Sequence, residues 1–105
     1  MSALAALSED ERAIYATRII EGQWDNGGLF QVFGNGVDHL LEPAIGAYEH
    51  LGLLDYAALI RAVRAAGFRV DSPLELGEQL DGRYFGLSGS ESARAELIKG
   101  KGPSA

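Results

Sequence analysis

The chain has 105 residues, with 15 acidic and nine basic side chains, a formal net charge of −6 and 47% hydrophobic residues. That size and balance fit one folded domain rather than a disordered segment, and the lack of cysteine removes disulfides, thiolate nucleophiles and thiolate zinc sites. Residues 1 to 52 carry eight acids against Arg12 and Arg18 while the remainder carries seven of each sign, so the surplus negative field lies in the first half, where it opposes direct binding to nucleic acid or to an anionic membrane.

Residues 1–7 read as an N-terminal arm that lacks the basic start of a signal peptide. No apolar run long enough for a membrane-spanning helix occurs, and a cytoplasmic location is expected. Ser8-Glu9-Asp10-Glu11 has the spacing of a capping box, which starts a first helix at Ser8. Tyr15, Ala16, Ile19 and Ile20 recur at helical spacing as its apolar face, and Trp24 extends that stripe. Asp25-Asn26-Gly27-Gly28 is expected to break the helix, with a short second helix from about residue 28 to 34 presenting Leu29, Phe30 and Phe33, ended by Asn35-Gly36.

Pro43 is tolerated only in a first turn, so a third helix is placed over 42–51 with Leu41, Ala44, Ile45 and Tyr48 inward and Gly52 as its stop. Asp55 is expected to cap a fourth helix, whose stripe is Tyr56, Leu59, Ile60 and Val63, with Arg61 and Arg64 outward and Gly67 at its end. Ser72 as N-cap and Pro73 in the first turn open a fifth, carrying Leu76, Leu80 and Tyr84, with Gly82 as a point of interruption. Residues 90 to 99 form a last helix and 100–105 a flexible tail. No segment alternates at period two, so the expected fold is all-α, a single compact bundle of five or six short helices over residues 8–99.

Within Trp24-Asp25-Asn26-Gly27-Gly28-Leu29-Phe30-Gln31-Val32-Phe33-Gly34-Asn35, Gly27 and Gly28 make a turn and Asn26 a cap. Phe30 and Phe33 fill the core, and Gln31 or Asn35 satisfies buried backbone groups. The alternative is a small-ligand pocket lined by Trp24, Gln31 and Asn35. This segment resembles the signature of a bacterial family long filed as a domain of unknown function, whose best-known member is an acidic DNA-mimic protein. The opening helix, the block from Glu42-Pro43-Ala44-Ile45 through Tyr48-Glu49-His50-Leu51-Gly52, and Leu80-Asp81-Gly82-Arg83-Tyr84-Phe85 are similar to further blocks of that family in the same order. The resemblance implies a helical domain with no cofactor and, for the characterised member, an acidic surface that occupies the DNA-binding face of a transcription regulator.

Glu21, Asp25, Asp38, Glu42 and Glu49 are the candidate partner-binding carboxylates, toward a basic protein such as a transcription regulator, with no direct nucleic-acid or membrane contact. One turn of duplex DNA carries on the order of 20 negative charges, so this chain imitates only part of a site unless a homodimer joins two acidic faces. Arg61, Arg64 and Arg69 read as a solvated basic rim, or as contacts to a second copy. An immunity or antitoxin-like partner is the alternative in the same binding class. A hydrolytic domain is a third reading, for which His39 and His50 are the general-base candidates. No phosphate loop, metal-spaced histidine pair or nucleophile elbow accompanies them, so the chain is read as non-catalytic, without metal or cofactor.

Overall fold

A computed structural model describes residues 7–100; the expected arm and tail fall largely on residues 1–6 and 101–105, outside the described residues. Among the described residues the fold is all helical: α1 (Glu9–Gly34), a 3-10 turn (Asp38–Leu40), α2 (Leu41–His50), α3 (Leu54–Ala65), α4 (Leu74–Phe85) and α5 (Ser90–Gly100). No described helix is long and apolar enough to cross a membrane. The capping box forms as expected, Glu11 N donating to Ser8 Oγ at 3.1 Å and Ser8 N to Glu11 Oε1 at 2.9 Å.

The break at Asn26-Gly27-Gly28 is a kink rather than an end. Gly27 (φ −151°, ψ 16°) and Gly28 (φ 74°, ψ −173°) leave helical geometry, yet the helix resumes at once to Gly34. The expected first and second helices are thus two limbs of α1. Gly36, Gly52 and Gly67 end α1, α2 and α3 in one way, each with φ between 64° and 76°. In each, the glycine N–H and the following N–H return to carbonyls of the last turn, as in Phe68 N to Val63 O at 3.4 Å. This is the double closure of a Schellman end, which a β-carbon would strain.

Two caps differ from expectation. Leu53, not Asp55, occupies the N-cap of α3 and makes no side-chain bond, leaving Asp55 in the first turn, where its charge suits the helix dipole. Pro73 occupies the N-cap of α4, and Ser72 Oγ instead accepts from Arg69 N at 2.8 Å to close the preceding turn. Gly82 interrupts nothing.

The core gathers Ile20, Trp24, Leu29, Leu41, Tyr48, Leu59, Ile60, Val63, Phe68, Leu80 and Tyr84 from α1 to α4 and the α3–α4 connection. The α1 stripe is turned from its expected centre: Ala13, Ala16, Thr17, Ile20 and Trp24 are buried, whereas Tyr15 is exposed. Every predicted inward residue of α3 is buried. Phe30 and Phe33 of the second α1 limb pack on Phe68 at ring-centroid distances of 4.9 and 5.0 Å. Phe30 also lies against Gly77 of α4, where a β-carbon would collide with the ring. The backbone of α5 stands off from the other helices.

Candidate partner-binding face and the carboxylates beneath it

Trp24 lies flat on Tyr84, with ring centroids 4.4 Å apart and planes 5° from parallel, and its indole Nε1 donates to Asp81 Oδ1 at 2.7 Å. The same oxygen accepts from Leu29 N at 2.9 Å. Asp81 therefore supplies, from α4, the cap that the second limb of α1 lacks after the kink, and Asn26 is left exposed. Gly28 admits this carboxylate: a β-carbon there would stand 2.7 Å from Asp81 Oδ2, in a backbone conformation with φ +74°. Gln31 and Asn35 do not reach buried backbone. They donate to the Gln23 side chain at 3.1 and 2.7 Å and brace the outside of the kink. Trp24 is fully buried, on the other side of the kink from these two amides.

One turn before the kink, Glu21 is buried at 7% exposure. Its carboxylate accepts from Tyr48 OH at 2.7 Å, from Ser90 Oγ at 2.7 Å, and from Arg94 Nη1 and Nη2 at 2.8 and 3.2 Å. Arg94 Nη1 also donates to Thr17 Oγ1 at 3.0 Å. A buried charge requires such a set of partners, since a carboxylate stripped of water without them is prohibitively costly. Burial would by itself lower the Arg94 pKa, but the hydrogen bonds and charge of Glu21 outweigh it and raise it. Burial, then the neighbouring Glu21 charge and hydrogen bond, drive the Tyr48 hydroxyl far above the ordinary tyrosine range. Tyr84 is raised in the same direction by burial and by its hydrogen bond to Asp25.

The five expected partner-binding carboxylates therefore separate. Glu21 is an interior ion-pair partner and not a surface charge, because it falls on the face of α1 that carries Thr17, Ile20 and Trp24. Asp25 is exposed, with Oδ1 accepting from Tyr84 OH at 2.7 Å. Asp38 is exposed at the start of the 3-10 turn. Glu42 and Glu49 are exposed on α2 but ion-paired across to Arg64 and Arg61 of α3. Arg69, the third cation of the expected basic rim, stands 3.8 Å from Asp71.

That geometry ties the resembling blocks to one another: the Trp24 to Leu29 segment meets Leu80-Asp81 through a single carboxylate oxygen, and Tyr48 and Tyr84 meet α1 at Glu21 and Asp25. A family model, that of the DMP19-like protein, matches residues 5–98. The chain belongs to the DMP19-like family. No match to it is found among curated proteins or among solved structures. The DMP19-like family is of DNA-mimic type. Neither histidine of this DMP19-like chain meets a serine or threonine hydroxyl within the contacts described: His39 Nδ1 is 2.8 Å from Gly36 O, and the His50 ring lies between Glu9 Oε1 at 2.9 Å and Asp10 Oδ1 at 2.5 Å.

Sequence reasoning missed Arg94 and Ser90. The available signal was positional. Glu21 sits one residue after Ile20 and three before Trp24, inside the buried sector of α1, and a buried carboxylate calls for a cation; Arg94 stands between two alanines on a helix with little apolar stripe of its own.

Proposed function

We propose that the chain is a non-catalytic protein-binding module that occupies the basic face of a DNA-binding protein, such as a transcription regulator, as a DNA-mimic-like inhibitor. The observation that carries this reading is membership of the DMP19-like family. The net charge of −6 and the exposed carboxylates of Asp25 and Asp38 support it. Glu42 and Glu49 contribute by exchanging the half-exposed Arg64 and Arg61 for arginines of the partner, an exchange with small cost because exposed ion pairs contribute only ~0–1 kcal/mol. Glu21 has no part in contact.

With Glu21, Glu42 and Glu49 matched internally by arginines, one copy presents far fewer free charges than the ~20 of a DNA turn. The reading is therefore a partial imitation, extended when two copies join their acidic faces. Partner capture from native extract, repeated across salt concentrations, tests it. Affinity is expected to fall steeply as the screening length shrinks from about 30 Å at 0.01 M to about 3 Å at 1 M. Salt-independent capture, or capture unaffected by Asp25→Asn with Asp38→Asn, overturns it. Size-exclusion chromatography over a dilution series reads the dimer, and a monomer at every concentration refutes that part.

A further inference from the structure

Beside the buried Glu21–Arg94 pair, the surface opens into a notch of about 380 Å³ between α1 and the α4–α5 connection. Its walls carry the exposed carboxylates Asp25 and Glu91, and Glu21 lies at its base. Its aromatic lining is Tyr56, Tyr84 and Phe85, with Tyr84 edge-on to both of the others at centroid distances of 6.3 and 5.2 Å. No arginine or lysine is among the residues that line it. Phe85 stands 60% exposed, an aromatic that the fold does not need to leave in water.

We infer that this notch receives an arginine side chain of the basic partner, an inference that rests on the proposed protein-binding role. The molecule already shows the chemistry one step inward, where the Arg94 guanidinium seats on Glu21 with two hydrogen bonds. Arg94 is matched by Glu21 and touched by Glu91 from outside, so Asp25 and Glu91 supply the notch's exposed charge, with Arg18 in the adjoining notch on the α1–α5 side. A guanidinium entering the notch meets the Asp25 and Glu91 carboxylates on its edge and the exposed Phe85 ring, with Tyr56 and Tyr84 buried behind it, and Arg is preferred to Lys because its planar fork can satisfy carboxylate and ring at once. Asp25 Oδ1 holds the Tyr84 hydroxyl, which fixes the carboxylate as the cation arrives.

The test needs no partner. The full chain is titrated with N-acetyl-arginine amide and followed by NMR, with the lysine and citrulline analogues in parallel. Saturable shifts are expected at Asp25, Tyr84, Phe85 and residues 88–91, in the order arginine, lysine, citrulline. Glu91→Gln, an exposed change that leaves the Tyr84 bond intact, is expected to weaken binding about threefold or more, and with Asp25→Asn about tenfold or more, as for charge-assisted contacts. Glu75→Gln with Glu78→Gln, exposed on α4, serves as the control and changes nothing. Shifts spread evenly over all exposed carboxylates, equal response to citrulline, or equal loss in the control overturn the inference. The two readings fail separately. A basic protein captured without any arginine response at the notch removes only this inference, and an arginine response with no salt-sensitive protein capture removes only the proposed function.

Discussion

Around Trp24 the body closes on rings and aliphatic side chains drawn from four helices; around Arg94 the last helix closes on one carboxylate. Among the described residues α5 contributes nothing to the hydrophobic core, and its two buried side chains are Ser90 and Arg94, both bonded to Glu21. Apolar burial is additive and tolerant of small displacements, whereas an ion pair holds only while its geometry and its exclusion of water persist. The body is thus built to unfold as a unit, and α5 to open at lower free energy than the body.

Alkali strikes both regions together and has the largest expected effect. Tyr48 and Tyr84 are held protonated in the folded chain, with pKa values raised from the ordinary 10.0. Their contribution is complete below the unfolded value and is lost as pH rises beyond it, because the unfolded chain releases two protons that the folded chain keeps. These two groups should lower stability by about 2.7 kcal/mol for each pH unit above 10, twice the ~1.36 kcal/mol per unit for one group, and Tyr56, also raised by burial, steepens the fall. Tyrosinate absorbance and helical circular dichroism, followed together, should change in one transition for these two residues. Early ionisation of all four tyrosines with helix content retained would contradict their burial beside Glu21 and Asp25.

Trp24→Ala is the next largest perturbation and belongs to the body alone. It removes the stack on Tyr84 and the donor to Asp81, and a loss of about 3–5 kcal/mol is expected from denaturant melts, as for other buried aromatics. Amide exchange should accelerate throughout α1 to α4. Arg94→Met sharpens the contrast. Orphaning one member of a buried ion pair costs about 3–5 kcal/mol where the structure cannot open. Here α5 can lift and let water reach Glu21, so a global loss under about 3 kcal/mol is expected, with exchange accelerated chiefly in residues 90–99. Adding Glu21→Gln should restore much of it. Equal acceleration in every helix would show that α5 is no separate unit.

The same contrast explains what could be read from the sequence. Tyr56, Leu59, Ile60 and Val63, and the glycines at 36, 52 and 67, act through local periodicity and local backbone geometry, and the structure bears them out. The kink was legible as a break but not as a joint within one helix, because the group that caps the second limb is Asp81, 52 residues away. Glu21 was misplaced for a related reason. A carboxylate on a helix is ordinarily solvated, and only its meeting with Arg94, 73 residues away, makes burial tolerable. Glu42 and Glu49 are exposed, but their pairing with Arg64 and Arg61 depends on how α2 packs on α3, which no local pattern carries. Resemblance to the family marked the glycine turn and Leu80-Asp81 as separate blocks of one ordered series, without any indication that they touch.

The smallest expected effect separates local from tertiary stabilisation at the start of α1. Ser8 and Glu11 satisfy each other's backbone donors by contacts only three residues apart, so their worth does not depend on either region. Ser8→Ala should cost about 1 kcal/mol, typical of an N-cap, and Ser8→Asn much less. The loss should be the same in the Arg94→Met background as in the wild type, since the capping box and the Glu21–Arg94 pair lie two or more turns apart along α1. A double-mutant cycle by chemical denaturation measures this. Coupling above about 0.5 kcal/mol would mean that the first turn senses the docking of α5, through the Thr17 hydroxyl that bonds both Ala13 O at 2.7 Å and Arg94 Nη1 at 3.0 Å.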